Sequence, residues 1–180
     1  MVLGHSELRK LIKTRNLIEG LSKRELENPE GCVFDLRLDK VFELKGKAFI
    51  GGEERQTPET IEVATFNAKE TRSFIFRPGQ YYLVKTIEKI NLPEDIAAIF
   101  KPRTTTFRCG LVLRSGIANP GFSGPLYFGL KNEGRIPVEV EMGARFASVI
   151  FLEVKGQPVH KYRGQWQGGR DHTGGREKQI

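Results

Sequence analysis

Cysteine is scarce in this chain of 180 residues, which has only Cys32 and Cys109. Two thiols so far apart make no disulfide framework and match no compact metal-ligand spacing. A reducing, cytoplasmic compartment is therefore expected. Histidine is also thin, with only His5, His160 and His172, all towards the termini. The H-x-E and P-C-x-x-C pair of zinc-dependent deaminases is missing, so no zinc and no metal-binding side chains are expected. No apolar run approaches the ~20 residues that span a bilayer, and the opening MVLGHSELRK has no apolar secretory core. No membrane partner is expected. There is no G-x-S-x-G elbow and no Walker lysine loop. The glycine-rich GQWQGGRDHTGG follows no strand-to-helix pattern that would make it a dinucleotide loop.

What is plentiful is positive charge: 29 Lys and Arg against 22 Asp and Glu, for a net +7. That balance favours anionic partners, whether small-molecule phosphates, nucleic acid or a membrane surface, and composition does not choose among them. Hydrophobic residues make up 38% of the chain and charged residues 28%, as in a single globular domain with a real core.

The start reads as an amphipathic helix with Ser6 as N-cap and Leu8, Leu11 and Ile12 on one face. Ser22-Lys23-Arg24-Glu25 has capping-box spacing for a second short helix, closed by Pro29 and Gly31. The period then changes to two. In CVFDLRL, Cys32, Phe34, Leu36 and Leu38 alternate with Val33, Asp35 and Arg37 as in a half-buried strand. Further strands are expected at 41–44, 48–50, 60–63, 73–76, 81–87, 96–100, 111–113, 126–130, 138–142 and 146–151. Many short strands punctuated by Gly and Pro predict a mainly β sandwich or barrel with a helical N-terminus.

Residues 153–180 differ in character. They carry six Lys or Arg against three acids and six glycines, with almost no aliphatic side chains. Such a segment buries too little to order itself unaided. Tyr162 and Trp166, interleaved with Arg163 and Gln165, suit a flap that closes over a nucleotide.

The stretch KPRTTTFRCGL (101–111) places three threonines between Arg103 and Arg108 directly after an apolar run. Hydroxyls, turn N–H groups and guanidinium forks are phosphate ligands. If 104–108 forms a helical turn, Thr104 and Arg108 share a face. From these residues alone, phosphate binding and a solvated sheet edge both stay open.

Longer segments carry a family resemblance. PGQYYLVKTIEKINLPEDIAAIFKPRTTTFRCGL (78–111), NPGFSGPLYFGLKNEGRIPVEVEMGARFASVIF (119–151), FDLRL (34–38) and KYRGQWQGG (161–169) resemble the ordered motifs of dCTP deaminases, relatives of the dUTPases. The resemblance implies a distorted dUTPase-like β-barrel over 1–160, assembled as a homotrimer with shared sites, and a flexible nucleotide-covering tail over 161–180. It implies that Arg103, Thr104, Thr105 and Arg108, standing at the family's R-S-S-x-x-R motif, bind a triphosphate together with Lys161. Tyr162 and Gln165 would close over the nucleotide, dCTP or dUTP, with Mg²⁺ accompanying the phosphates.

The departures fall on catalysis. The family glutamate in V-L-E-F-Y-N corresponds to Gly129 here, and the aspartate that opens D-P-G-W-S-G to Asn119. Neither can accept a proton as a carboxylate does, and general-base catalysis contributes ~10²–10⁴-fold. Glu133, Glu139 and Glu141 are the neighbouring acids, and each is expected to face solvent. The resemblance implies hydrolytic deamination of dCTP to dUTP. The alternatives are a catalytically impaired nucleotide-binding sensor or regulator, and a dUTP diphosphatase. Nucleic-acid binding is disfavoured, because it needs strand aromatics on a basic face and only Tyr81 and Tyr82 are adjacent.

Overall fold

The computed structural model describes residues 1–156 and 162–179. In chain order it contains α1 (His5–Arg15), β1 (Ile18–Glu19), α2 (Lys23–Glu27), β2 (Val33–Lys45), β3 (Phe49–Ile50), β4 (Glu54–Gln56), β5 (Glu59–Thr65), β6 (Ser73–Phe76), β7 (Tyr81–Asn91) and β8 (Ile96–Pro102). There follow α3 (Thr104–Arg108), β9 (Leu111–Arg114), β10 (Ser123–Asn132), β11 (Val138–Glu141), β12 (Arg145–Glu153) and β13 (Glu177–Lys178). The mainly β architecture with a helical N-terminus agrees with the expectation.

The main sheet runs β8-β12-β2-β7-β10-β9, with β1 on β7 and β5 on β2. An isolated bridge between Ala98 and Ala118 ties the β8 edge to the loop after β9, so the sheet is nearly closed into a distorted barrel. Alternation explains what fills it. Phe34, Leu36 and Leu38 of β2 and Val84 and Ile90 of β7 are all at most 1% exposed. Phe128, Phe146, Val149 and Phe151 meet them from β10 and β12. Such period-2 burial is what holds each strand in register.

Three local expectations are corrected. Helix α1 begins at His5 with Gly4 as N-cap, so Ser6 lies within the helix. The two strands expected around 32–38 and 41–44 are one continuous β2, bent by bulges at Leu38/Lys40 and Val41/Phe42. Ser22 does cap α2, accepting from Glu25 N at 3.3 Å. Glu25 does not complete the box. Its carboxylate is buried and accepts from Asp35 N at 3.0 Å, which ties α2 to β2.

The inner face of β7 also carries two polar side chains, Thr86 and Glu88, each fully buried. A bulge between Pro125 and Tyr127 leaves Leu126 N without a ladder partner, and Thr86 Oγ1 accepts from it at 3.0 Å. Buried backbone donors need such a substitute. Glu88 is paired with Arg37, through Nε at 2.7 Å and the backbone N at 2.8 Å. Burial still outweighs these bonds and raises the Glu88 carboxyl above its ordinary value.

Candidate nucleotide site

Strand β8 ends at Pro102, and the extended Arg103 (φ −66°, ψ 153°) caps α3. The helix is fixed to β12 from below. Thr106, buried, donates its hydroxyl to Phe146 O at 2.7 Å, and Arg103 N donates to the same carbonyl at 3.1 Å. The turn out of α3 needs glycine. Gly110 has φ +88°, and a Cβ there would come within 3.0 Å of the Gly134 backbone.

The two arginines of the motif have different surroundings. Arg103 Nε pairs with Asp35 Oδ2 at 2.8 Å. Asp35 also accepts from Arg145 at 3.1 Å and from Ser148 Oγ at 2.7 Å, and Arg145 reaches Glu25 at 3.4 Å. Alternation alone places Asp35 facing outward. It is only 9% exposed because these cations cover it. Buried carboxylates need such partners. Arg108 has no ion pair among the described residues. With Thr104 and Thr105 it forms an exposed face of one cation and two hydroxyls.

A second feature lies elsewhere on the barrel. A cavity of about 470 Å³ sits over the outer face of β7 and β10, lined by Tyr81, Leu83 and Tyr127 and by the Gly116–Asn119 loop. The tail closes its other side with Tyr162, Trp166 and Asp171. Both family acid positions are here or beside it: Asn119 lines the cavity, and Gly129 lies under the Tyr81 ring. No residue of α3 lines it. Within one chain, the two halves expected of the site stay apart.

The tail docks on its own barrel through polar pairs. Thr57 and Thr173 exchange N–H to hydroxyl bonds of 2.9 Å each, and β13 pairs with β4. Trp166 lies under the Arg55 guanidinium at 5.0 Å. Tyr162 donates its N–H to Pro120 O at 3.0 Å and sets its ring edge against Phe122. Gln165 donates to Lys178 O within the tail and does not line the cavity. Lys161 and His160 lie outside the described residues.

The cavity's titratable groups are set by this packing. Burial, with Asp171 and Asp39 adding to it, pushes the Tyr127 phenol up to about 12. Burial likewise raises Tyr81, with Arg114 opposing. For Asp171 burial acts upward, but bonds from Thr60 (2.6 Å) and His172 prevail and hold the carboxyl below its ordinary value. Among the described residues Asp171 is the only carboxylate lining the cavity. Sequence reasoning missed it, because nothing local in GGRDHTGG places an aspartate against β10. Glu133, by contrast, is exposed in the turn after β10 near Arg114 and Lys131, and Glu139 and Glu141 are exposed on β11. Among the described residues no three His, Cys, Asp or Glu side chains gather as a metal site.

The sequence matches the dCTP deaminase-like family model over residues 2–154. This chain belongs to that family. It is 31% identical over 170 residues to the dCTP deaminase of Thermococcus kodakarensis, covering 94% of each. It is 30% identical over 167 residues to a probable deoxyuridine 5'-triphosphate nucleotidohydrolase of Methanopyrus kandleri, covering 92% of this chain and 99% of that relative. In structure it resembles the 2'-deoxycytidine 5'-triphosphate deaminase from Agrobacterium tumefaciens, with TM-score 0.64 and 19% identity over 83% of this chain. The chain spans about half of that neighbour, 48%, and the likeness speaks for the fold alone. Relatives of both names stand at similar identity, 31% and 30%, so family membership does not choose between the two reactions.

Proposed function

We propose that this dCTP deaminase-like protein binds a pyrimidine deoxynucleoside triphosphate, dCTP or dUTP, at a site shared between copies in a homotrimer. The triphosphate lies on Arg103, Thr104, Thr105 and Arg108, joined by Lys161, and the base enters the cavity of a neighbouring copy under the tail residue Tyr162. Deamination and dUTP hydrolysis run far below what a carboxylate base would support. The observation that carries this reading is an intact, anchored α3 in a chain with no carboxylate at Asn119, which lines the cavity, or at Gly129, beside it under Tyr81. Arginine forks and hydroxyls match phosphate oxygens, whereas water attacking a pyrimidine ring at neutral pH needs a proton acceptor. Magnesium fits this set only through the phosphates. Asp35, the carboxylate beside α3, is already engaged by Arg103, Arg145 and Ser148.

A second reading is favoured by one residue. Among the described residues Asp171 is the one carboxylate that lines the cavity, so hydrolytic turnover, deamination of dCTP above all, would use it as proton acceptor, although its lowered carboxyl makes it a weak base. Incubation with dCTP or dUTP and Mg²⁺, followed by product separation, decides between the two. The first reading expects binding by calorimetry and little product. Robust ammonia or pyrophosphate release that is lost in Asp171→Asn establishes the second. No binding of either nucleotide sinks both.

A further inference from the structure

The register of β7 on β10 sets Tyr81 opposite Lys131 and Leu83 opposite Gly129. Tyr81 and Gly129 are therefore diagonal neighbours on one face of the sheet, within reach of a long aromatic side chain. The Tyr81 ring lies across Gly129. A Cβ at position 129 would clash with the Tyr81 hydroxyl oxygen and come within 2.6 Å of Cζ and 2.8 Å of Cε2. The phenol thus occupies space that any side chain at 129 would need. Gly129 is buried for this reason although it faces outward.

The hydroxyl itself is available. Tyr81 is 43% exposed, and no described residue hydrogen-bonds its oxygen. Around it the cavity is mainly aliphatic and aromatic, with Leu83, Phe100, Ile117 and Phe122. A few polar groups in an apolar pocket are what orient a ligand. A phenol both donates and accepts, so it can meet a carbonyl, a ring nitrogen or an exocyclic amine at a pyrimidine edge. A phenol is protonated at neutral pH, and burial raises this one further, which suits contact and not proton abstraction.

We infer that the Tyr81 hydroxyl is the group that hydrogen-bonds the edge of the bound pyrimidine, in the space left open by Gly129. The inference rests on the nucleotide-binding reading above. It makes the Gly129–Tyr81 pair an exchange of a side chain at 129 for a neutral recognition group from the neighbouring strand.

Calorimetry on the full chain, with Mg²⁺ and either dCTP, dUTP or inorganic tripolyphosphate, tests it. Tyr81→Phe keeps the ring and removes only the hydroxyl. Affinity for dCTP or dUTP, or for both, is expected to fall roughly three- to tenfold, the range for one hydrogen bond, while tripolyphosphate affinity stays unchanged. Gly129→Ala, which displaces the hydroxyl, should give the same selective loss. Unchanged affinity for both nucleotides in Tyr81→Phe, with the unmodified chain binding them, overturns this inference alone. A parallel loss for tripolyphosphate also overturns it, since the residue would then act on the fold as a whole. Failure of the unmodified chain to bind either nucleotide overturns the inference together with the reading beneath it.

Discussion

Arg108 offers a clean separation of binding from stability. Its guanidinium is exposed on α3 and has no ion pair among the described residues, so Arg108→Ala should leave folding within about 0.5 kcal/mol. A charge-assisted hydrogen bond to phosphate contributes about 1.5–3 kcal/mol. Dissociation constants for dCTP and dUTP should then rise roughly tenfold to 150-fold, at about 1.4 kcal/mol per decade. Arg103→Ala is the contrasting case. It strips a cation from Asp35, and uncovering a buried ion costs about 3–5 kcal/mol when the partner is removed. Arg103 keeps 29% of its side chain in water, and Arg145 and Ser148 remain on Asp35, so that figure is an upper bound here. Urea unfolding and calorimetry on the same preparations give both quantities. Arg108→Ala with unchanged nucleotide affinity would refute the cradle and leave α3 a solvated helix at a sheet edge.

Two further outcomes are expected. Scattering mass should lie near three times the 20.4 kDa chain, and a clean monomer at micromolar concentration removes the shared site, since α3 and the cavity do not meet within one chain. The Asp171 carboxyl is lowered in the fold, so its stabilising bonds are fully present above the ordinary 3.8 and are lost as pH falls through the lowered value. Trp166, the only tryptophan, should report release of the tail below that pH, and Asp171→Asn should remove the acid step. A fluorescence profile identical in both proteins counts against a tail held by Asp171.

Much of the barrel was legible because burial imposes period two. Phe34, Leu36 and Leu38 announce the inward face of β2, and the helical turn at 104–108, which the sequence leaves conditional, does form after β8 ends at Pro102. What escaped is non-local. Alternation assigns Asp35 to solvent, and only pairing with Arg103 and Arg145, 68 and 110 positions away, buries it. The two- and three-residue strands β1, β4 and β13 are too short to show a period. The tail's attachment was hidden for another reason. Its aliphatic content promises little burial, but reciprocal Thr57–Thr173 bonds and a tryptophan under Arg55 attach it without aliphatic side chains. The cavity's lining comes from strands β7 and β10, a loop and the tail, so no single segment carried its signature.

The Gly129–Tyr81 contact also changes what a back-substitution can achieve. Gly129→Glu puts a carboxylate at the position where the family resemblance implies one, but its Cβ would meet the Tyr81 phenol. The ring must swing away, which its 43% exposure permits, and the overpacking should cost about 1–3 kcal/mol. The displaced phenol stays in the cavity, so little deaminase activity is expected from the single variant. Tyr81→Ala combined with Gly129→Glu clears the space. A carboxylate there would be buried like Gly129 and raised by desolvation, towards the range useful for a general base at neutral pH. Arg114, opposite Gly129 on β9, would limit that rise. The double variant should therefore release more ammonia from dCTP than either single variant, measured at equal nucleotide saturation. Equal gains in Gly129→Glu alone would show that Tyr81 is no obstacle. No gain in the double variant, with nucleotide binding retained, would show that a carboxylate at position 129 is not what the chemistry of this cavity requires.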